Sequence, residues 1–169
     1  MIGKWFMALG LLFTASLAGA QPVSSAEPAI VAEARSFMAA YAEDLRAGDR
    51  TAIAGRYSRG GAYMLGWNLK RFEDPAAIAA SYAGPNWQKP HSFSWADLSY
   101  EPLSADSIIV VGGFLWGIED KSAPLTITYT ALLRREAGGL KIRLEHENLI
   151  GKPPSPTPPP APPTPAPSG

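Results

Sequence analysis

Cysteine is absent from this chain, and histidine occurs only twice in 169 residues. Without cysteine there is no disulfide, no thiol nucleophile and no lipid attachment through a thioether. Two distant imidazoles, His91 and His146, fall short of the three or four convergent ligands that a metal centre needs, so no metal is expected. Excess charge is lacking as well: Lys and Arg number 15, Asp and Glu 15. No basic stretch interleaved with aromatics occurs, which argues against nucleic acid as a partner. No GxSxG elbow is present, and the glycine pairs at 60–61, 112–113 and 138–139 lack the spacing of a phosphate loop. No cofactor is implied by any motif. Small-molecule binding, acid–base chemistry by other side chains, and protein interaction remain.

What the chain does have begins with two unusual ends. Residues 1–20 carry one early cation, Lys4, then an apolar run through Phe6, Leu9, Leu12 and Phe13, and close on Ala18-Gly19-Ala20. This is the pattern of a cleavable signal peptide, with the mature chain starting near Gln21 and residues 21–28 as a short leader. An uncleaved anchor is the alternative, but the apolar run is short against the roughly 20 residues of a membrane span. A periplasmic or secreted destination follows, with no stable membrane anchor after cleavage. Lys4 is the only charged residue before Gln21, so 14 cations remain against 15 anions. At the other end, residues 152–169 are dominated by proline with Ala, Ser and Thr. Such a tail is expected to be disordered and extended, roughly 50 Å long at about 3.1 Å per residue. It is a spacer, or a ligand for a proline-recognising partner.

Between the ends, residues 30–57 predict two helices joined by a very short turn. Ile30, Ala34, Phe37, Met38, Tyr41 and Leu45 recur at helical spacing and form a stripe to be buried. Gly48 suits the left-handed conformation that ends a helix, and Asp49 can cap the next one on the amides of Thr51 or Ala52. Gly60-Gly61 breaks the chain, residues 62–67 predict a short strand, and NLKRFED predicts a loop. Asp74-Pro75 then starts a third helix that ends at Gly84-Pro85. From His91 the period changes to alternation, giving strands over 91–101, 107–119, 125–136 and 140–150 with short turns between them. Short turns imply antiparallel neighbours. The result is an α+β arrangement: three N-terminal helices packed on a curved, mainly antiparallel sheet.

This order, headed by MAAYAEDLRAGDRTAIAGRY, resembles the nuclear transport factor 2-like superfamily, which includes ketosteroid isomerases and SnoaL-like polyketide cyclases. The resemblance covers residues 29–151. It implies a conical sheet wrapped on helices, with a pocket opening at the wide end. In the isomerases a tyrosine of the first helix helps form an oxyanion hole, eight residues before the aspartate of the turn, and Tyr41 keeps that spacing from Asp49. The isomerase base should lie on the following strand, where this chain has Tyr63, Met64 and Leu65. The second oxyanion donor is matched only by Thr128, Tyr129, Thr130 or Ala131. The isomerase carboxylates are therefore missing from the positions that the resemblance assigns them.

Alternation along the last strand puts Leu140, Ile142, Leu144, His146 and Asn148 on one face, and Lys141, Arg143, Glu145 and Glu147 on the other. On this reading His146 continues the inward apolar face and is the candidate acid or base, with Tyr41 polarising a carbonyl. A histidine or tyrosine that merely satisfies a neighbour in the wall is the competing interpretation of both. Asp97 is a conceivable partner for His146. Tyr63, Trp67, Trp116, Tyr129 and Asn148 are the candidate pocket residues, suited to a flat apolar or aromatic ligand. Both faces of the strand over 107–119 are apolar, which predicts a homodimer through the sheet. The leading expectation is an exported domain binding a small apolar or aromatic molecule. The alternatives are a SnoaL-like or dehydratase-type enzyme using His146 and Tyr41, and an envelope interaction module that docks through its sheet and tail.

Overall fold

The computed structural model describes residues 27–66, 69–119 and 123–150. The segment expected as a signal peptide, the Pro-rich tail and Trp67 lie outside the described residues. Helix α1 (Ala29–Ala47) buries Ile30, Ala34, Phe37, Met38, Tyr41 and Leu45, the whole of the stripe read from the sequence. Each large apolar side chain removed from water here contributes on the order of 2 kcal/mol, which anchors the helix to the sheet. Gly48 ends it at φ 72°, and its amide bonds back to the last carbonyls. Asp49 then caps α2 (Arg50–Gly55), its carboxylate accepting from the Ala52 amide at 2.9 Å. Helix α3 (Pro75–Ala83) starts in the same way, with Asp74 accepting from Ala77 at 2.8 Å and proline at the first position.

The strands are β1 (Ala62–Gly66), β2 (Leu69–Glu73), β3 (Ser92–Ser104), β4 (Ser107–Gly117), β5 (Leu125–Glu136) and β6 (Gly139–Leu149). They form one sheet in the order β2-β1-β6-β5-β4-β3, antiparallel throughout except for the parallel pair β1–β6. Within the segment NLKRFED, expected as a loop, Leu69–Glu73 instead form β2. Its charged residues suit an edge strand, which has one paired side and one side in water. Core residues Ile108, Val110, Phe114, Tyr129, Ala131, Leu133 and Ile142 form the inner face on which α1 lies.

One irregularity decides which side chains face inward. Leu132 pairs with Leu144, but Leu133 pairs with Ile142, so Arg143 is an extra residue in β6. This is a β-bulge, and it resets the alternation of the strand. Before it Leu140 and Ile142 are buried; after it the inward positions are Glu145 and Glu147. Arg143 itself turns outward. Its guanidinium donates to the Gly60 carbonyl at 3.1 Å and lies 5.1 Å from the Phe72 ring centroid. The loop before β1 is thereby tied to the strand that carries the carboxylates.

Candidate functional site

A cavity of about 530 Å³ lies between the helices and the inner face of the sheet. Its helical side is made by Tyr41 and Leu45 of α1 and by Ile78 and Tyr82 of α3. Its sheet side is made by Phe93, Trp95, Phe114, Trp116 and Ile127, with Met64 on β1. The segment after α3 brings Trp87 to the wall, and Arg50 holds that segment by donating to the Ala83 carbonyl at 2.9 Å and the Trp87 carbonyl at 3.2 Å. Arg71, Glu73 and Lys89 also line the cavity. Arg71 and Glu73 are paired with each other, and Lys89 is exposed.

The polar part of the wall is a carboxyl group inside a tyrosine network. Glu145 is 3 % exposed. Its Oε1 accepts from the Tyr57 hydroxyl at 2.6 Å and its Oε2 from the Tyr129 hydroxyl at 3.1 Å. A phenol has a single proton, so Tyr57, having given its own to Glu145, accepts from Tyr82 at 2.6 Å and from Tyr41 at 3.3 Å. Five residues from α1, the end of α2, α3, β5 and β6 thus share one hydrogen-bonded cluster. Burial, and then the charge of Glu145, raises the pKa of Tyr41, Tyr57 and Tyr129, so these phenols stay protonated and act as donors.

Glu145 itself is pushed up to about 7: burial is the larger cause, and the hydrogen bonds from Tyr57 and Tyr129 oppose it. Glu147, two residues on, also lines the cavity and is raised well above the usual carboxylate range, first by burial and then by the negative charge of Glu145. Two carboxyls in one apolar chamber cannot both ionise without mutual repulsion. Near neutral pH the pair therefore holds a proton that can be given or taken.

The residues expected from the sequence divide sharply. Tyr41 and Trp116 line the cavity. Tyr129 is buried behind Trp95, at 4.8 Å between ring centroids, and reaches the site only through its hydroxyl on Glu145. His146 and Asn148 are corrected to the outer face. They stand opposite Thr130 and Thr128 in β5, one turn of the pleat away from the inward Ala131 and Tyr129, because the Arg143 bulge has shifted the strand by one position. His146 contacts Asn148 there, 2.8 Å between its Nε2 and the amide nitrogen. Tyr63 is likewise corrected: it is 44 % exposed and pairs with Leu144 on the outer side. Asp97 sits exposed at a bulge in β3 with φ 51°.

Glu145 and Glu147 were missed for a physical reason. Unbroken alternation places every charge of β6 in water, which is the cheaper arrangement for an isolated strand. Nothing in LKIRLEHEN marks the bulge. The readable signal was indirect: Tyr41, Tyr57 and Tyr82 all come from helical segments, and buried phenols need acceptors.

No family model matches the sequence, and no curated protein matches it. Solved structures do. An NTF-2 like protein of unknown function from Shewanella oneidensis is 15% identical, with a TM-score of 0.62 over 70% of this chain and 98% of that one. A hexachlorocyclohexane dehydrochlorinase from Novosphingobium barchaimii is 16% identical, with a TM-score of 0.58 over 73% and 88%. A ketosteroid isomerase-like protein from Erwinia carotovora atroseptica is 16% identical, with a TM-score of 0.57 over 75% and 100%. At this identity the likeness is one of fold, and the fold is nuclear transport factor 2-like.

Proposed function

We propose that the cone is a small-molecule site, and that Glu145 exchanges a proton with the molecule bound in it. The observation that carries this reading is the Glu145 carboxyl, which lines an aromatic-walled cavity while both of its oxygens are held by tyrosine hydroxyls. A group poised near neutrality can act as acid or base without a large free-energy penalty in either direction. Tyr57 and Tyr129 are positioning residues: they fix the carboxyl and stabilise its charge. Tyr41 and Tyr82 also line the cavity; their hydroxyls donate to Tyr57 and so support the group that holds the carboxyl. Isomerisation or elimination on an apolar, ring-bearing compound is the reaction type that this arrangement serves. Dehydrochlorinase and isomerase-like proteins of the same fold support that class.

His146 takes no part in this reading. The leader of residues 1–20 supports action outside the cytoplasm, and the outer sheet face, with Val111 46 % exposed, supports pairing with a second copy. The test is hydrogen exchange at carbon. A panel of ring-bearing carbon acids is incubated with the full chain in D2O, and deuterium incorporation is read by mass spectrometry. Glu145→Gln should slow incorporation at least about a hundredfold with the fold intact. Equal incorporation by the variant would remove Glu145 from the chemistry.

A further inference from the structure

The two carboxyls of the cavity are not equivalent. Glu145 is enclosed by tyrosine donors, whereas Glu147 stands opposite Tyr129, one inward position further along β6. The groups acting on the Glu147 carboxyl are burial and the neighbouring charge of Glu145, both unfavourable to its ionised form. The cations of the wall do not relieve this. Arg71 is engaged by Glu73, and Lys89 is exposed at the rim with its stem against Gly48. Trp87, Trp95, Trp116 and Phe93 line the same cavity as the carboxyls, and Arg50 already lies over the Trp87 ring, 5.2 Å from its centroid. Aromatic faces attract a cation, and more strongly where water is excluded. With Arg71 taken up by Glu73, the pair Glu145 and Glu147 beside aromatic walls suits a positive charge carried on an apolar body.

We infer that the molecule held in this cavity carries a protonated amine on an apolar, ring-bearing body, with Glu147 as the anchor of the ammonium. This names the substrate class of the site proposed above and rests on that reading. The ammonium offsets the charge of Glu147, and the body lies among the indole and phenyl rings. Glu145, held by its tyrosines, is left to exchange the proton. Among the described residues no three metal-binding side chains converge, and the two carboxyls alone do not form the cage of six to eight oxygens that a calcium ion takes.

The test is calorimetric binding to the full chain of three probes of one shape: phenethylamine, 2-phenylethanol and 3-phenylpropionate. Phenethylamine should bind at least about tenfold more tightly than the alcohol, and the carboxylate should not bind. Glu147→Gln should abolish the preference for the amine while leaving the alcohol's affinity unchanged. Glu145→Gln, which keeps the anchor, should retain most of it, so the inference does not hang on one variant's folding. Equal affinity for amine and alcohol, or a preference that survives Glu147→Gln, overturns the ammonium class. Binding of calcium or zinc alone with loss of both organic probes overturns it too. If the alcohol binds and deuterium exchange still depends on Glu145, the ammonium inference falls and the proton-exchange reading stands. If no probe binds and no exchange occurs, both fall.

Discussion

At Glu145 burial and hydrogen bonding pull the proton affinity in opposite directions, and burial wins. A rise from the usual 4.5 to about 7 corresponds to roughly 3 kcal/mol between the protonated and ionised forms. The sign of the consequence follows from linkage. The folded state holds its proton more tightly than the unfolded chain, so this stability is fully present below about pH 4.5. It is lost as pH rises through 7. Glu147 acts in the same direction. Urea unfolding at pH 5 and pH 8 should show the native chain losing more stability over that interval than Glu145→Gln does. A variant with the same pH dependence as the native chain would mean that this carboxyl titrates normally. Tyr57→Phe removes the 2.6 Å donor to Oε1 and the acceptor for Tyr82. It should destabilise the fold by about 1–3 kcal/mol and raise the Glu145 pKa further, both measurable in the same unfolding series.

At the scale of elements, the strand β6 sets which carboxyls enter the cavity, through a single extra residue. Arg143 widens the strand by one position, and everything after it changes face. Deleting Arg143 leaves a plain alternation in which Ile142 and Glu145 still face the cone, so the raised titration of Glu145 should persist. What should weaken is the grip on Gly60 and the stacking against Phe72. A Glu145 that returns to ordinary carboxylate behaviour in the deletion would show that the strand had slipped instead. Close approach constrains the neighbouring strand too. Gly66 has φ 112°, and a Cβ there would lie 1.8 Å from the Glu147 carbonyl oxygen, so no side chain fits against the Glu147 backbone. Most elements were legible in the sequence. The α1 stripe, the Gly48-Asp49 turn and the Asp74-Pro75 start are local signals, and local backbone chemistry obeyed them. β2 was not legible, because its charges resemble a loop until the pairing with β1 is known. Nor was the bulge. It is fixed by pairing across two strands, and strict alternation pointed to His146 when the inward residues were Glu145 and Glu147.

For the whole molecule, a cone closed by helices on one side leaves the other side of the sheet to be accounted for. Val111 is 46 % exposed there, and Ile109, Leu115, Leu132 and Leu144 are only partly covered. A second copy on this face would remove the apolar surface from water, in line with the homodimer expected from the sequence. Light scattering of the full chain should give twice the monomer mass, and Val111→Lys should shift it toward one chain without changing the cavity's ligand affinity. A native mass of one chain would set the homodimer aside. Tyr41 of α1 and Tyr82 of α3 reach the carboxyl through Tyr57, just after α2, so the position of the helices on the sheet and the state of the site are coupled. The same cluster that seats α1 and α3 also tunes Glu145.

Glu145 lies inside the cone as a carboxyl held by phenols, and a carbon-13 NMR titration of the glutamate side-chain carboxyls, assigned by comparison with Glu145→Gln, reads its state. A resonance with a midpoint of about 7 that vanishes in the variant is the predicted result. A Glu145 resonance titrating near 4.5, as a solvent-exposed glutamate does, would contradict it.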